Sequence, residues 1–363
     1  MRALFYYTAN RWTGSARAFA IAARGLAAQG EPVTVACCAD TPVEQSFARE
    51  GIEVVTLPPG GSVAGDAWRL RKVLRERFVE VVFLHTEREQ LIASSAMRMA
   101  ERGAVIRRIP VGHAATSGRA AKLGSRMASA RLLFSTEADR ARTKGASNEF
   151  IAPLGVDVTR VDGLRAAART SLGIEMETQL VVCVTTAGTA GVRSGTALRT
   201  LALLAGRHPD LRLALVGPGA DEEDVHMHAA ALGVSSLVHF LGERDDLPLV
   251  LAAADVGWVA ADGDDAGFAC LDFMAARVPI VAERSSLVGQ FVPDGIAGVL
   301  LPPADPSDTA ATVASFLAHN DQRETMGRAG RTRAERDFKE QAMIEGFAAA
   351  ANAAGDRASW ATR

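Results

Sequence analysis

Short apolar runs alternate with amphipathic helical patterns along nearly the whole chain, and this alternation limits the folds open to it. In the first half, strand candidates cover 3–7, 33–38, 54–57, 79–84, 105–111 and 132–135. Helical periodicity falls between them, near 15–28, 43–50, 65–77, 87–102, 118–129 and 137–145. The second half repeats the scheme, with strand candidates at 180–185, 211–216, 238–241, 256–259, 280–282 and 298–301. Helical patterns there lie near 195–207, 221–232, 246–254, 267–276 and 306–319, and two more at 321–335 and 338–354 close the chain. Strand–helix alternation of this kind builds parallel sheets with helices on both faces. The expected fold class is therefore α/β, with two Rossmann-like doubly wound domains.

The repeat breaks between 148 and 177, where Pro153-Leu154-Gly155 punctuates the chain. The expected division is 1–160, 161–335 and a C-terminal helix with tail, 336–363, packing back toward the first domain. The tail from Gly355 onward is expected to be loosely held. A length of 363 residues suits two domains, and 48% hydrophobic with 23% charged residues is a core-forming composition.

A formal net charge of −2 argues against a nucleic-acid-binding role. No apolar stretch reaches membrane-spanning length, which leaves peripheral contact through an amphipathic helix open. The four cysteines, Cys37, Cys38, Cys183 and Cys270, show no C-x-x-C spacing and read as small buried hydrophobes in a reducing cytoplasm. The expected location is cytoplasmic, with the inner face of a membrane as the peripheral alternative.

Doubly wound sheets bind ligands at the carboxyl ends of their strands. One such end carries chemistry. Asp262-Gly263-Asp264-Asp265-Ala266-Gly267-Phe268 follows the strand at 256–259 and precedes a helix. Backbone N–H groups of Gly267, Phe268 and Ala269 at that helix's N-terminus would suit a diphosphate. Asp264 and Asp272, eight positions apart, could meet sugar and ribose hydroxyls; alternatively the acids serve their own helix dipole, with Asp272 solvated. Asp262-Gly263-Asp264 also matches a bare Asp-x-Asp metal motif, a weak three-residue signal, and no metal is expected. His226 and His228, two apart on a helix, point to different sides and make a poor metal pair. His85 either lines a ligand site or caps its strand.

The segment 264–282, D-D-A-G-F-A-C-L-D-F-M-A-A-R-V-P-I-V-A, resembles the donor-binding segment of the family 4 (group 1) glycosyltransferases. That family's pattern runs E-P-F-G-L-x-x-L-E-A-M-A-x-G-x-P-V-V-A. The turns Val216-Gly217-Pro218-Gly219, Val238-His239-Phe240-Leu241-Gly242 and Asp294-Gly295 also resemble family turns, as does Pro153-Leu154-Gly155-Val156-Asp157. Thr13-Gly14 resembles its G-G turn, and Val111-Gly112-His113 stands in the place of its strand-end histidine.

The resemblance implies a GT-B architecture, two Rossmann-like domains facing across a cleft. It also implies a retaining sugar transfer from a nucleotide-diphosphate sugar, with no obligatory cofactor or metal. The acceptor would be a glycan, a lipid-linked molecule or a small molecule. The residues it implicates are His113, Asp264 and Arg193 for catalysis. For the donor they are Gly14, Gly217, Gly242, Glu243, Gly267, Phe268, Ala269 and Asp272. The site departs from the family: both glutamates are aspartates, Val184-Thr185-Thr186 replaces V-G-R, and Ser194 takes the place of a lysine, with Arg193 beside it. The alternative these changes raise is an impaired homologue that binds a nucleotide sugar or serves a partner.

Overall fold

The structure is a computed structural model describing every residue except 102, 116–117, 129, 144–148, 187–189, 303–304 and 359–363; the side chains of 190–193 and 355–358 also lie outside the described residues. The chain forms two compact units. The first is Met1–Leu154 together with the residues from Glu340 onward, and the second is Gly155–Lys339.

Unit 1 begins with β1 (Ala3–Tyr7), α1 (Gly14–Ala28), β2 (Val33–Cys38), α2 (Pro42–Arg49) and β3 (Val54–Leu57). It continues with α3 (Val63–Glu76), β4 (Val81–Leu84), α4 (Glu87–Ala100), β5 (Ala104–Ile109) and α5 (Arg119–Met127). Then come β6 (Ala130–Phe134), α6 (Glu137–Arg142) and β7 (Phe150–Ile151). The sheet order is β3-β2-β1-β4-β5-β6-β7, and every pairing is parallel. Each residue of β1 and of β4 is buried, as expected of central strands covered on both faces.

Unit 2 contains α7 (Arg165–Ser171), β8 (Gln179–Thr185), α8 (Ala190–Ala205), β9 (Leu211–Val216), α9 (Glu223–Ala231) and β10 (Val238–Gly242). It goes on through α10 (Leu247–Ala252), β11 (Val256–Ala260), α11 (Gly263–Ala275), β12 (Ile280–Glu283), α12 (Val288–Phe291) and β13 (Gly298–Leu301). Two helices, α13 (Pro306–Ala318) and α14 (Asn320–Asp337), complete it. Its parallel sheet runs β10-β9-β8-β11-β12-β13. Trp258, Leu198, Leu215 and Phe316 lie in one buried cluster against that sheet. The last helix, α15 (Glu340–Ala358), returns to unit 1, where Phe347 stands 5.2 Å from Phe83 in an aromatic group that includes Phe5 and Phe19.

Both units are doubly wound, as the alternation implies. The differences are local and have physical causes. β5 stops at Ile109 rather than 111, because Pro110 has no N–H for the ladder and Gly112 turns the chain at φ +79°. β7 and α12 span two and four residues, too short for any period to show in sequence. All four cysteines are buried and unbridged, and burial pushes the Cys37 thiol up to about 12. No helix among the described residues is long and apolar enough to cross a membrane. The tail expected to be loose falls largely outside the described residues.

One buried cation organises the start of unit 2. The Arg169 guanidinium donates from Nε to the Ala253 carbonyl at 3.0 Å, and from Nη1 to the carbonyls of Glu175, Met176 and Thr178, each at 2.8 Å. Nη2 donates to Asp255 Oδ2 at 2.8 Å, and that oxygen also accepts the Leu180 N–H at the start of β8. Removing the guanidinium leaves these four carbonyls without their donor and Asp255 with only Arg165, at 2.6 Å, and the Leu180 N–H. Arg169→Met is therefore expected to destabilise unit 2 by about 3–5 kcal/mol, read by urea unfolding of the full chain. A change below about 1 kcal/mol would show that the guanidinium is not the tie described.

Candidate functional site

In each sheet the chain starts at a central strand, winds one way, and then returns to the other side. The connections on either side of that strand diverge, leaving a crevice at its carboxyl end. In unit 2 the switch lies between β8 and β11. Thr185 ends β8 and Thr186 follows it, both buried. Gly217 follows β9 at φ +117°, where a Cβ would stand 2.2 Å from the Thr185 carbonyl oxygen, so only glycine fits. Its N–H donates to the Gly242 carbonyl at 2.7 Å, joining the ends of β9 and β10. Exposed Glu243 follows directly. Beside this turn the His226 ring stacks on Phe240 at 3.8 Å and its Nε2 lies 2.7 Å from Asp221 Oδ1.

The acidic segment after β11 corrects one expectation. The helix starts at Gly263, a turn earlier than the pattern at 267–276 suggests. Asp262 is extended, Gly263 takes φ +58°, and the chain enters the helix at once; Asp264 and Asp265 in the first turn complement the helix dipole. Ala266 N–H already donates to the Asp262 carbonyl at 3.2 Å. Gly267, Phe268 and Ala269 thus lie inside α11 and are buried, so their N–H groups are not orphan donors for a diphosphate. The first-turn N–H groups belong instead to Gly263, Asp264 and Asp265. Asp264 and Asp272 are both buried, at 4% and 2% exposure, so Asp272 is not a solvated surface acid. At 1.5 Å rise per residue they stand about 12 Å apart along the helix. Among the described residues no cluster of three or more His, Cys, Asp or Glu is placed to hold a metal.

In unit 1 the switch lies between β1 and β4. Glu89, wholly buried, clamps these two strand ends together. It accepts the Thr8 N–H at 2.7 Å and hydroxyl at 2.9 Å, and the N–H groups of His85 and Thr86 at 3.1 and 3.0 Å. His85 Nδ1 lies 2.9 Å from the same carboxylate, and the imidazole stacks on Tyr7 at 4.8 Å. Gly14 opens α1 after Thr13, whose hydroxyl meets the Tyr7 hydroxyl at 2.9 Å. His113 is exposed, with Nδ1 3.0 Å from the Val111 carbonyl. A carbonyl only accepts, so Nδ1 carries the proton and Nε2 is left as the acceptor of the neutral ring. The loop is fixed by buried Asp139, which accepts the Gly112 N–H at 3.2 Å.

The residues singled out in sequence thus fall into two groups. Gly217, Gly242, Glu243 and Asp264 gather at the strand ends of unit 2, with Asp272 deeper on α11. Gly14 and His113 lie at strand ends of unit 1, after β1 and β5. Arg193 belongs to α8, and its side chain lies outside the described residues. Sequence reasoning missed Glu89. Its signal was present as Thr86-x-x-Glu89, the capping-box spacing that the structure realises.

Burial alone would raise the Glu89 pKa, but the His85 charge and hydrogen bond and the backbone donors of Thr86 and Thr8 outweigh it and hold the group at about 2 against an ordinary 4.5. A carboxyl depressed on folding contributes stability above its unfolded value and gives it up as pH falls toward its folded value. The wild-type protein is expected to lose about 3 kcal/mol through this group as pH falls from 4.5 toward 2. Glu89→Gln removes that component, so unfolding measured against pH should give a flatter acid limb; an unchanged slope would show that the clamp is not charged.

Residues 169–333 match the family described as glycosyl transferases group 1. A D-inositol 3-phosphate glycosyltransferase of Corynebacterium jeikeium (strain K411) is 32% identical over 192 residues, covering 49% of this chain and 45% of that protein. The lipopolysaccharide core biosynthesis glycosyltransferase LpsE of Rhizobium meliloti (strain 1021) is 29% identical over 148 residues, 41% of this chain and 44% of its own length. The matched stretches span under half of these relatives. In fold, the chain is similar to Anabaena Alr3699/HepE in complex with UDP-glucose, with a TM-score of 0.77 at 17% identity, covering 97% of this chain and all of that one. WaaG, a glycosyltransferase involved in lipopolysaccharide biosynthesis, gives 0.69 at 17% identity over 98% and 99%. The chain has the GT-B fold, and residues 169–333 of its second unit are similar to the group 1 glycosyl transferases.

Proposed function

We propose that the chain is a glycosyltransferase moving a sugar, with retention, from a nucleotide-diphosphate sugar to an acceptor. The observation that carries this reading is the coincidence of the family match, 169–333, with the sheet whose switch point bears Gly217, Gly242 and Asp264. Unit 2 takes the donor. The backbone at Gly242–Glu243 meets the base, Asp272 accepts from ribose hydroxyls, and Asp264 accepts from the sugar. Unit 1 takes the acceptor, a glycan, lipid-linked or small molecule, with His113 orienting the sugar. A lipid-linked acceptor would bring peripheral contact with the inner face of a membrane.

The diphosphate is the demanding part, because it gains charge as the sugar leaves. The first turn of α11 carries Asp264 and Asp265, which repel it. The first turn of α8, which follows β8, holds no acidic residue and contains Arg193. A helix N-terminus without acids beside a guanidinium suits a diphosphate. This reading assigns the phosphates to α8 and Arg193.

UDP, the nucleotide in the Anabaena complex, is the first probe. Calorimetric titration is expected to give saturable binding, weakened about tenfold in Asp272→Asn and in Arg193→Ala, the usual size for loss of one hydrogen bond to a charged group. Absence of UDP and nucleotide-sugar binding, or unchanged affinity in both variants, would overturn the assignment. A second reading, an impaired homologue that binds without turnover, draws on Thr185 and Thr186 standing at the end of β8 where the family resemblance calls for arginine. Donor binding without hydrolysis or transfer across a panel of acceptors would favour it.

A further inference from the structure

We propose that the helix layer α3–α4–α5 of unit 1 docks on an anionic lipid bilayer, with α5 as its basic contact. This deepens the membrane contact raised by the glycosyltransferase reading. It rests on that reading only for the lipid-linked acceptor it would serve; the docking itself does not.

The inner side of the layer is ordinary core. Leu70 and Leu74 of α3 and Ile92 and Met97 of α4 share one buried cluster with Val82 and Leu84 of the sheet. α4 packs against both α3 and α5. Arg71 Nε and Arg75 Nη2 of α3 donate to the Met99 carbonyl, at 3.2 and 3.5 Å, and tie α3 to the end of α4.

α5 inverts the usual pattern of a surface helix, which turns its large apolar residues inward. Its residues run Arg119-Ala120-Ala121-Lys122-Leu123-Gly124-Ser125-Arg126-Met127. Only Ala121 and Gly124 are buried, while Leu123 is 45% exposed. Gly124 lets α5 approach α4 closely: a Cβ there would stand 3.3 Å from Leu91 Cα, tighter than ordinary contact. The helix thus gives its small residues to the protein and its leucine to the outside, where a leucine contributes little to folding. Arg119 and Arg126, four before and three after Leu123, share its face, and Lys122 is next to it. All three cations are exposed, α5 has no acid, and none of the three forms an ion pair among the described residues.

The same mixture continues across the layer. Trp68 on α3 is 62% exposed, and Met99 of α4 is 39% exposed beside exposed Arg98. Among the described residues of unit 1, the exposed large apolar side chains are Trp68, Phe78, Met99 and Leu123, all in or just after these three helices. Phe78 is already met by the Arg2 guanidinium, at 5.6 Å. The whole chain has a net charge of −2, so the unpaired cations of α5 are a local feature and not the character of the surface at large.

Two kinds of anionic surface accept such cations, and they treat the apolar groups differently. A soluble polyanion pairs with the cations and leaves Trp68 and Leu123 in water. An anionic bilayer takes both, because the cations meet lipid phosphates while the apolar side chains enter the boundary beneath them. Tryptophan suits that boundary, having an apolar ring and a polar N–H. The alternation of cations with Trp68, Met99 and Leu123 therefore favours the bilayer. α5 follows the His113 loop in the chain, so docking through it sets that loop beside the lipid headgroups.

The test mixes the full chain with sedimentable vesicles of phosphatidylcholine alone, or of phosphatidylcholine with phosphatidylglycerol. Binding is expected with the anionic vesicles at low salt, weakened by high salt, and absent with phosphatidylcholine alone. Arg119→Gln, Lys122→Gln and Arg126→Gln combined should weaken partition about a hundredfold, and Trp68→Ser with Leu123→Ser about tenfold. All five positions are exposed, so both variants should keep the wild-type melting temperature and UDP affinity. Wild-type protein that stays in solution with anionic vesicles, or that binds both compositions equally, overturns the proposal. Unchanged partition of the charge variant does the same. Full binding by the Trp68 and Leu123 variant, alongside loss in the charge variant, overturns the bilayer in favour of a soluble polyanion. UDP binding without vesicle binding removes the docking and leaves the donor reading. Vesicle binding without UDP binding does the reverse, so the two failures are distinguishable.

Discussion

Burial of both faces of each parallel sheet dictates where this chain can do chemistry. Once helices cover β1, β4, β8 and β11 on either side, their backbone polar groups are spent in the ladders. Only the strand ends and the loops above them keep donors and acceptors to offer. The switch in winding direction then decides which strand ends stand open, at β1/β4 in one unit and β8/β11 in the other. The residues of interest, from Thr8 and His85 to Thr185 and Asp264, sit at or just beyond these ends.

Loops placed this way would be too mobile to recognise anything unless tied. The ties are buried carboxylates and one buried guanidinium. Glu89 binds the end of β1 to the end of β4, Asp139 holds the loop of His113, and Arg169 gathers three carbonyls before β8. Each satisfies backbone groups that a loop could not satisfy alone, which offsets the cost of burying its charge. The Gly217–Gly242 bond does the same with backbone only. Rigidity at these sites is therefore polar in origin and lies on top of an apolar scaffold.

The scaffold was legible in the sequence because it depends on period and on turns. Alternating runs gave both sheets, and the motif glycines at 217 and 242 fell where the strands end. The start of α11 was misread because glycine suggested a boundary at Gly267, while the helix begins at Gly263, where a positive φ is needed. The Asp264–Asp272 spacing was visible, but not that both would be buried. Glu89 left a local trace in its capping box.

The earlier start of α11 bears on how charge is divided around the β8/β11 switch. Aspartate for glutamate keeps each negative charge and shortens its reach by one methylene. Asp264 and Asp265 occupy the first turn, so the positive end of that helix dipole is answered by the protein's own acids. A dipole already matched has little left for a phosphate. It does hold carboxylates firmly in place, which suits recognition of neutral hydroxyls. The neighbouring helix after β8 starts with Ala190-Gly191-Val192-Arg193 and has no acid in its first turn. Across the switch, then, one helix start carries two acids and the other none. A nucleotide-diphosphate sugar presents both neutral hydroxyls and anionic oxygens on one molecule, and the donor reading proposed above assigns the first to α11 and the second to α8 and Arg193.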